Sequence, residues 1–245
     1  MVPRGNAKVT FSTESETVLA ALVADVGACR ICVERPQGAP LPHEPRPVLR
    51  VSPRARLLIA GQAPGMRVHR SGLPFDDPSG DRLRDWMGVD RETFYDVSRI
   101  GVAAMSFCFP GYDAHGGDLP PRRECAPHWR DALFSALPRV ETILAVGKYA
   151  QAYHLRRLGV ALRASASVTE AVGRWREFSA FTPKIIPLPH PSWRNTGWLK
   201  RNPWFAAELL PVVRAEVARL AGADGPGESG SCAAFGGDIA SQRES

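Results

Sequence analysis

The chain has 245 residues, 44% hydrophobic and 23% charged, with a formal net charge of +6. That length and composition fit one compact domain with a full core, or at most two small ones. A basic balance suits a polyanionic partner without requiring one, and no apolar run reaches the roughly 18–20 residues of a membrane span.

Residues 1–13 read as a flexible lead. They lack the apolar core of a secretory signal, so the expected compartment is the cytoplasm. A first helix is expected over 15–26. Thr13 and Glu16 have capping-box spacing. Val18, Leu19, Leu22, Val23 and Val26 recur at helical intervals, and Gly27 supplies a stop. The stretch 36–53 is rich in proline and reads as extended loop.

Leu57-Leu58-Ile59-Ala60, closed by Gly61, reads as a short buried parallel strand. Comparable runs lie at 100–105, 142–146 and 184–188, with helical stretches at 80–86, 124–137 and 148–158. Such alternation predicts an α/β sandwich around a mostly parallel sheet. Ligands in these folds sit at the C-terminal ends of the strands. Two unusual motifs, Gly61-Gln62-Ala63-Pro64-Gly65 and His190-Pro191-Ser192, directly follow expected strands.

A last helix starts near Asn202, with Pro203 at its first position. Phe205, Leu209, Val213, Val217 and Leu220 form its apolar stripe, and Pro211 should kink it. The folded domain therefore spans 14–220. Residues 221–245 are glycine-rich with few large apolar side chains and are expected to be disordered. Cys232 lies in that tail as a bystander.

Five cysteines in a reducing compartment point to metal or reactive thiols rather than disulfides. Cys29 and Cys32 form a C-x2-C pair. Cys108 sits in the turn Phe107-Cys108-Phe109-Pro110-Gly111. Cys125 opens an expected helix, whose dipole favours a thiolate. Four such ligands hold zinc or an iron–sulfur cluster, and spacing does not choose between them. The bland alternative is one buried pair and two unrelated thiols.

Taken in order, the Gly61–Gly65 motif, Gly72-Leu73-Pro74-Phe75, the four cysteines and His190-Pro191-Ser192 resemble the uracil-DNA glycosylase superfamily. The resemblance runs over about 29–210 and is to its iron–sulfur branch. It implies a three-layer α/β sandwich with a central four-stranded parallel sheet flanked by helices. It also implies a [4Fe–4S] cluster on Cys29, Cys32, Cys108 and Cys125. The implied activity is excision of uracil from single- or double-stranded DNA by a monomer, leaving an abasic site.

Breaking an N-glycosidic bond puts negative charge on the departing base and positive charge on the sugar, so the enzyme extrudes the nucleotide, stabilises the base anion and delivers water. By resemblance, His190 stabilises the anion at uracil O2, the backbone amides of Gln62 and Ala63 point at the same oxygen, and Phe75 stacks on the base. Asp76 is the expected water activator, with Asp77 as a second carboxylate beside the nucleotide. The alternative for these carboxylates is to cap the following helix. Ser192 is expected on a phosphate, and Arg194 and Asn195, with Trp193, in the minor groove. Lys200 and Arg201 add phosphate contacts.

Some positions depart from the family. Gln62 stands where the iron–sulfur branch usually has glutamate. Ala63 stands where the best-known branch has an aspartate that orients the attacking water. Relatives place a base-reading asparagine near Ala104, yet none lies between Arg99 and Gly111; Ser106 is one substitute. These departures keep three alternatives in view: a glycosylase for hypoxanthine or xanthine, a non-catalytic iron–sulfur DNA-binding protein, and a structural zinc module.

Overall fold

The computed structural model describes residues 13–160 and 167–222. Four strands, β1 (Leu57–Ala60), β2 (Ile100–Val102), β3 (Thr142–Val146) and β4 (Lys184–Leu188), form one sheet in the order β2-β1-β3-β4. Every pairing is parallel, with Leu57 opposite Ile100 and Thr142. All residues of β1, β2 and β3 are buried. A sheet covered on both faces needs apolar side chains at every position, which is why these strands read as unbroken runs.

The helices are α1 (Thr13–Gly27), α2 (Ile31–Glu34), α3 (Met66–Ser71), α4 (Pro78–Met87), α5 (Arg91–Tyr95), α6 (Cys125–Ser135), α7 (Lys148–Arg157), α8 (Val168–Gly173), α9 (Trp175–Phe178), α10 (Thr196–Arg201) and α11 (Leu210–Ala221). They make the two outer layers. Leu57 and Ile59 pack into a core with Leu83, Trp86 and Met87 of α4 and Val213 and Val217 of α11. Leu58 and Ala60 point the other way, into a core with Leu19 and Val26 of α1, Leu133 of α6 and Leu155 of α7. The strand period of two thus divides one short run between two cores. The result is the expected α/β fold with a four-stranded parallel sheet flanked by helices. Among the described residues no helix is long and apolar enough to cross a membrane.

Two elements differ from expectation. The run at 100–105 is a strand only to Val102. Beyond it the chain still follows β1, with N–H bonds from Ala103 to Ile59, Met105 to Gly61 and Ser106 to Gln62. The fully buried Arg130 of α6 holds this stretch, donating to the Ala103 carbonyl at 2.9 Å. At the C-terminal end, the expected kink at Pro211 takes the form of a π-helical turn, Phe205–Leu209, just before α11. Proline has no N–H to donate and its ring crowds the carbonyl four residues back; a wider turn relieves both. The stripe from Phe205 to Leu220 is buried as expected. Residues 1–12 and 223–245, with Cys232, lie outside the described residues.

From β1 the chain moves to one edge for β2 and then returns to the other side for β3. The C-terminal ends of β1 and β3 therefore send their loops apart, which opens a crevice between them.

Candidate active site

The crevice holds a cavity of about 590 Å³, within the usual range for a small-ligand site. Its walls are the loop after β1 (Gly61, Gln62, Ala63, Pro64 and Gly65), the turn carrying Phe75 and Asp77, the segment 118–121, the Gly147–Tyr149 start of α7, and the loop after β4 (His190, Ser192, Trp193, Arg194 and Asn195). The two motifs that follow strands in the sequence thus face one space.

His190 is partly buried at the end of β4. Its Nδ1 accepts the backbone N–H of Ser192 at 3.2 Å. That bond fixes the tautomer with the proton on Nε2. Burial holds the imidazole below its ordinary range, against a weaker upward pull from Asp77. Two groups hold the loop: Asn195 Nδ2 donates to the His190 carbonyl at 2.7 Å, and Arg82 of α4 donates to the Ser192 carbonyl at 3.0 Å. Asn195 lines the cavity, but its amide is engaged within the loop. Arg82 was not singled out from the sequence, because nothing local marks it as facing β4.

Phe75 lies across from this loop. Its backbone has φ of 56°, the left-handed region that residues with a side chain enter at a cost. The turn is held in that state from outside. Tyr95 donates to the Pro74 carbonyl at 2.9 Å, and Phe94 meets the Phe75 ring edge-on, with centroids 6.2 Å apart. Gly80 in the first turn of α4 is closest of all: a Cβ there would sit 1.8 Å from the Phe75 carbonyl oxygen. The ring itself lies over Gly61. Backbone strain kept in place by surrounding contacts marks a functional constraint.

The two carboxylates after Phe75 part company. Asp76 is not among the residues lining the cavity. Its Oδ1 is paired with Arg91 at 2.9 Å, and that guanidinium holds its carboxyl below the usual range. The structure thus gives Asp76 an ion pair where a water activator beside the base was expected. The left-handed step at Phe75 redirects the chain and turns Asp77 inward instead. Asp77 lines the cavity and also caps α4, its Oδ1 accepting the Gly80 N–H at 2.9 Å.

Gln62 and Ala63 lie where the motif predicts. The Gln62 side chain rests on Gly147, whose φ is 83° and where a Cβ would come within 2.8 Å of Gln62 Cδ. Ala104 forms part of the cavity wall. Ser106 does not join it; its hydroxyl is buried, donates to the Cys108 carbonyl and borders the cysteine pocket. The rim carries Arg194, and Trp193 stands 76% exposed beside it. Asp118 also lines the cavity, and sequence reasoning missed it. Its only sequence signal is its place in the loop between Cys108 and Cys125, just before Pro120-Pro121.

Cys29, Cys32, Cys108 and Cys125 all border a second, closed pocket, with no disulfide among them. Burial pushes the Cys32 thiol up to about 11 and the Cys108 and Cys125 thiols up to about 12. Three sulfurs face N–H donors: Trp129 Nε1 on Cys29 at 3.3 Å, the Arg46 amide on Cys108 and the Phe107 amide on Cys125. Such donors suit metal-bound thiolates, whose charge they offset. A zinc about 2.3 Å from each sulfur needs its thiolates under about 4 Å apart. Among the described residues no group of three or more His, Cys, Asp or Glu is gathered to hold a single ion.

A family model described as the uracil DNA glycosylase superfamily matches residues 50–214. The match spans the sheet and all of the cavity's lining residues except Val48.

Proposed function

The chain belongs to the uracil DNA glycosylase superfamily, whose members hydrolyse the N-glycosidic bonds of damaged bases in DNA, and on that premise we propose that it excises uracil and leaves an abasic site. One observation carries this reading: His190, with a fixed Nε2–H, and the ring of Phe75 line the same cavity.

In the proposed reaction the everted uracil stacks on Phe75 with O2 towards His190. As the C1′–N1 bond breaks, its electron pair passes to the base. The anion is received by the Nε2–H of a neutral imidazole and by the backbone N–H groups of Gln62 and Ala63. Fixed donors aimed at a developing anion stabilise it with no proton transfer and little reorganisation. The lowered imidazole pKa keeps His190 neutral through the physiological range. With an apolar wall at Ala104, reading of the base edge falls to the Gln62 side chain. Its amide carries both donor and acceptor, as the uracil edge requires.

Cys29, Cys32, Cys108 and Cys125 would hold a [4Fe–4S] cluster. Four thiols bordering one pocket, three of them buried, and their N–H donors support it, and the resemblance to the iron–sulfur branch favours it over zinc. When bound, the cluster would cross-link the Cys29–Cys32 segment to both ends of the loop 108–125; bond cleavage makes no use of it. On the DNA side, Ser192 would take a phosphate, and Arg194 and Trp193 would enter the minor groove. Lys200 and Arg201 of α10 would add salt-sensitive phosphate contacts.

The test is incubation with oligonucleotides bearing one uracil, hypoxanthine or xanthine, followed by alkali to cut abasic sites. Cutting is expected at uracil. Cutting at hypoxanthine or xanthine alone would favour the second reading, which rests on Ala104 replacing the expected asparagine. Binding without cutting at any base would mean a non-catalytic DNA-binding protein.

A further inference from the structure

We propose that Asp118, from the loop between Cys108 and Cys125, takes the proton from the water that attacks the sugar. The inference rests on the reading of the cavity as a uracil-excision site and supplies the carboxylate that position 63 lacks.

Three observations place it there. Asp118 borders the same cavity as His190 and Phe75. Its Oδ2 lies against the motif loop, 3.5 Å from where a Cβ on Gly65 would stand, two residues from the position where a motif carboxylate would sit. Its position is set by backbone pairing: Tyr112 and Asp118 form an antiparallel bridge, and Leu119 N–H donates to the Gly111 carbonyl at 2.9 Å. The carboxylate itself makes no hydrogen bond or ion pair with any described residue.

The other carboxylates near the base are already engaged. Asp76 is paired with Arg91, and Asp77 caps α4. Asp118 is free to accept a proton. It is exposed at the cavity edge, yet lost hydration holds it above the usual carboxylate range. Arg194 opposes that shift, and Asp77 and Asp113 add to it. A carboxylate made more basic in this way is a better base for water. In the step itself, Asp118 takes one proton from water and the water oxygen bonds to C1′ of the deoxyribose. The C1′–N1 bond breaks, and its electron pair leaves on the uracil anion held by His190. The proton on Asp118 then passes to solvent, the uracil anion takes up a proton from solvent, and the products are uracil and an abasic sugar.

The experiment compares wild type, Asp118→Asn and His190→Ala on a uracil oligonucleotide in single-turnover excision, with affinity and melting temperature measured alongside. Asp118→Asn should slow excision at least about 100-fold, the low end for a general base. Its affinity for DNA should be equal or tighter, since a negative charge is removed, and its melting temperature no lower. The wild-type rate should fall in acid as Asp118 takes up a proton, and Asp118→Asn should lose that limb. The other titratable or charged side chains facing this space are Asp77, Lys148, Tyr149, His190, Arg194 and, behind the loop, Asp113. Asp118→Asn within about threefold of wild type, while His190→Ala is inactive, would overturn the assignment and leave the uracil reading standing. A loss in affinity matching the loss in rate would also overturn it. An inactive wild type would overturn both.

Discussion

The cavity at the strand ends and the cysteine pocket beside it treat their polar groups in opposite ways. Around the cavity, the Gln62 amide, the Asp118 carboxylate and the His190 Nε2 make no hydrogen bond with any described residue. In the pocket, all four sulfurs are at least partly buried, and three already receive N–H donors. A site that binds and releases a ligand keeps hydrogen-bonding capacity in reserve. A site that retains its occupant has that capacity directed inward when the chain folds.

His190→Ala should slow single-turnover excision about 10²–10³-fold, the loss typical of one anion-stabilising donor, with a melting temperature close to wild type. A parallel fall in rate and stability would mean that the cavity is as structural as the pocket. Cys125→Ala should behave the other way. If the proposed cluster is bound there, iron and visible absorption should be lost, and the melting temperature should drop by more than about 5 °C, since metal binding couples to folding. The folded fraction should keep a rate near wild type when assayed cold. A specific loss of rate with stability intact would give the pocket a direct part in chemistry.

Smaller effects sharpen the comparison. Phe75→Ala and Phe75→Gly both remove the stacking face, but glycine adopts the left-handed backbone freely. The glycine variant should therefore be the more stable by about 1 kcal/mol in chemical denaturation. Equal stabilities would mean that the turn carries no strain. His154 of α7 lies in neither region and is nearly fully buried, with burial first and then Arg130 and Arg157 holding its pKa well below the ordinary value. Above about pH 6.5 both folded and unfolded states are neutral at this residue and its contribution is constant. Below that, only the unfolded chain takes the proton, so stability falls by up to about 1.4 kcal/mol per pH unit. His154→Gln should flatten that acid slope in melting-temperature measurements.

The sheet was legible because buried parallel strands admit only apolar residues, and β1, β3 and β4 show as bare runs. The tail of the second run misled, since Ala103–Ser106 keeps hydrogen bonds to the β1 side without regular strand geometry. That Gln62, Ala63, Phe75 and His190 would share one space was legible through ordered resemblance. That Asp77 lines the cavity and Asp76 does not was hidden. It turns on a single backbone angle at Phe75, which Tyr95, Phe94 and Gly80 enforce from distant or following elements. Asp118 was hidden for another reason: it reaches the cavity on a loop whose path depends on the pairing of Tyr112 with Asp118, and no spacing rule encodes that.

Gly80 acts by omission. It lies in the first turn of α4, where alanine would ordinarily be the better helix former. Yet any methyl group there would collide with the peptide that aims the Phe75 ring. In a mutational screen such a position would score like a member of the reaction machinery, though it contributes no atom to it; the missing carbon is what keeps the aromatic ring at its angle.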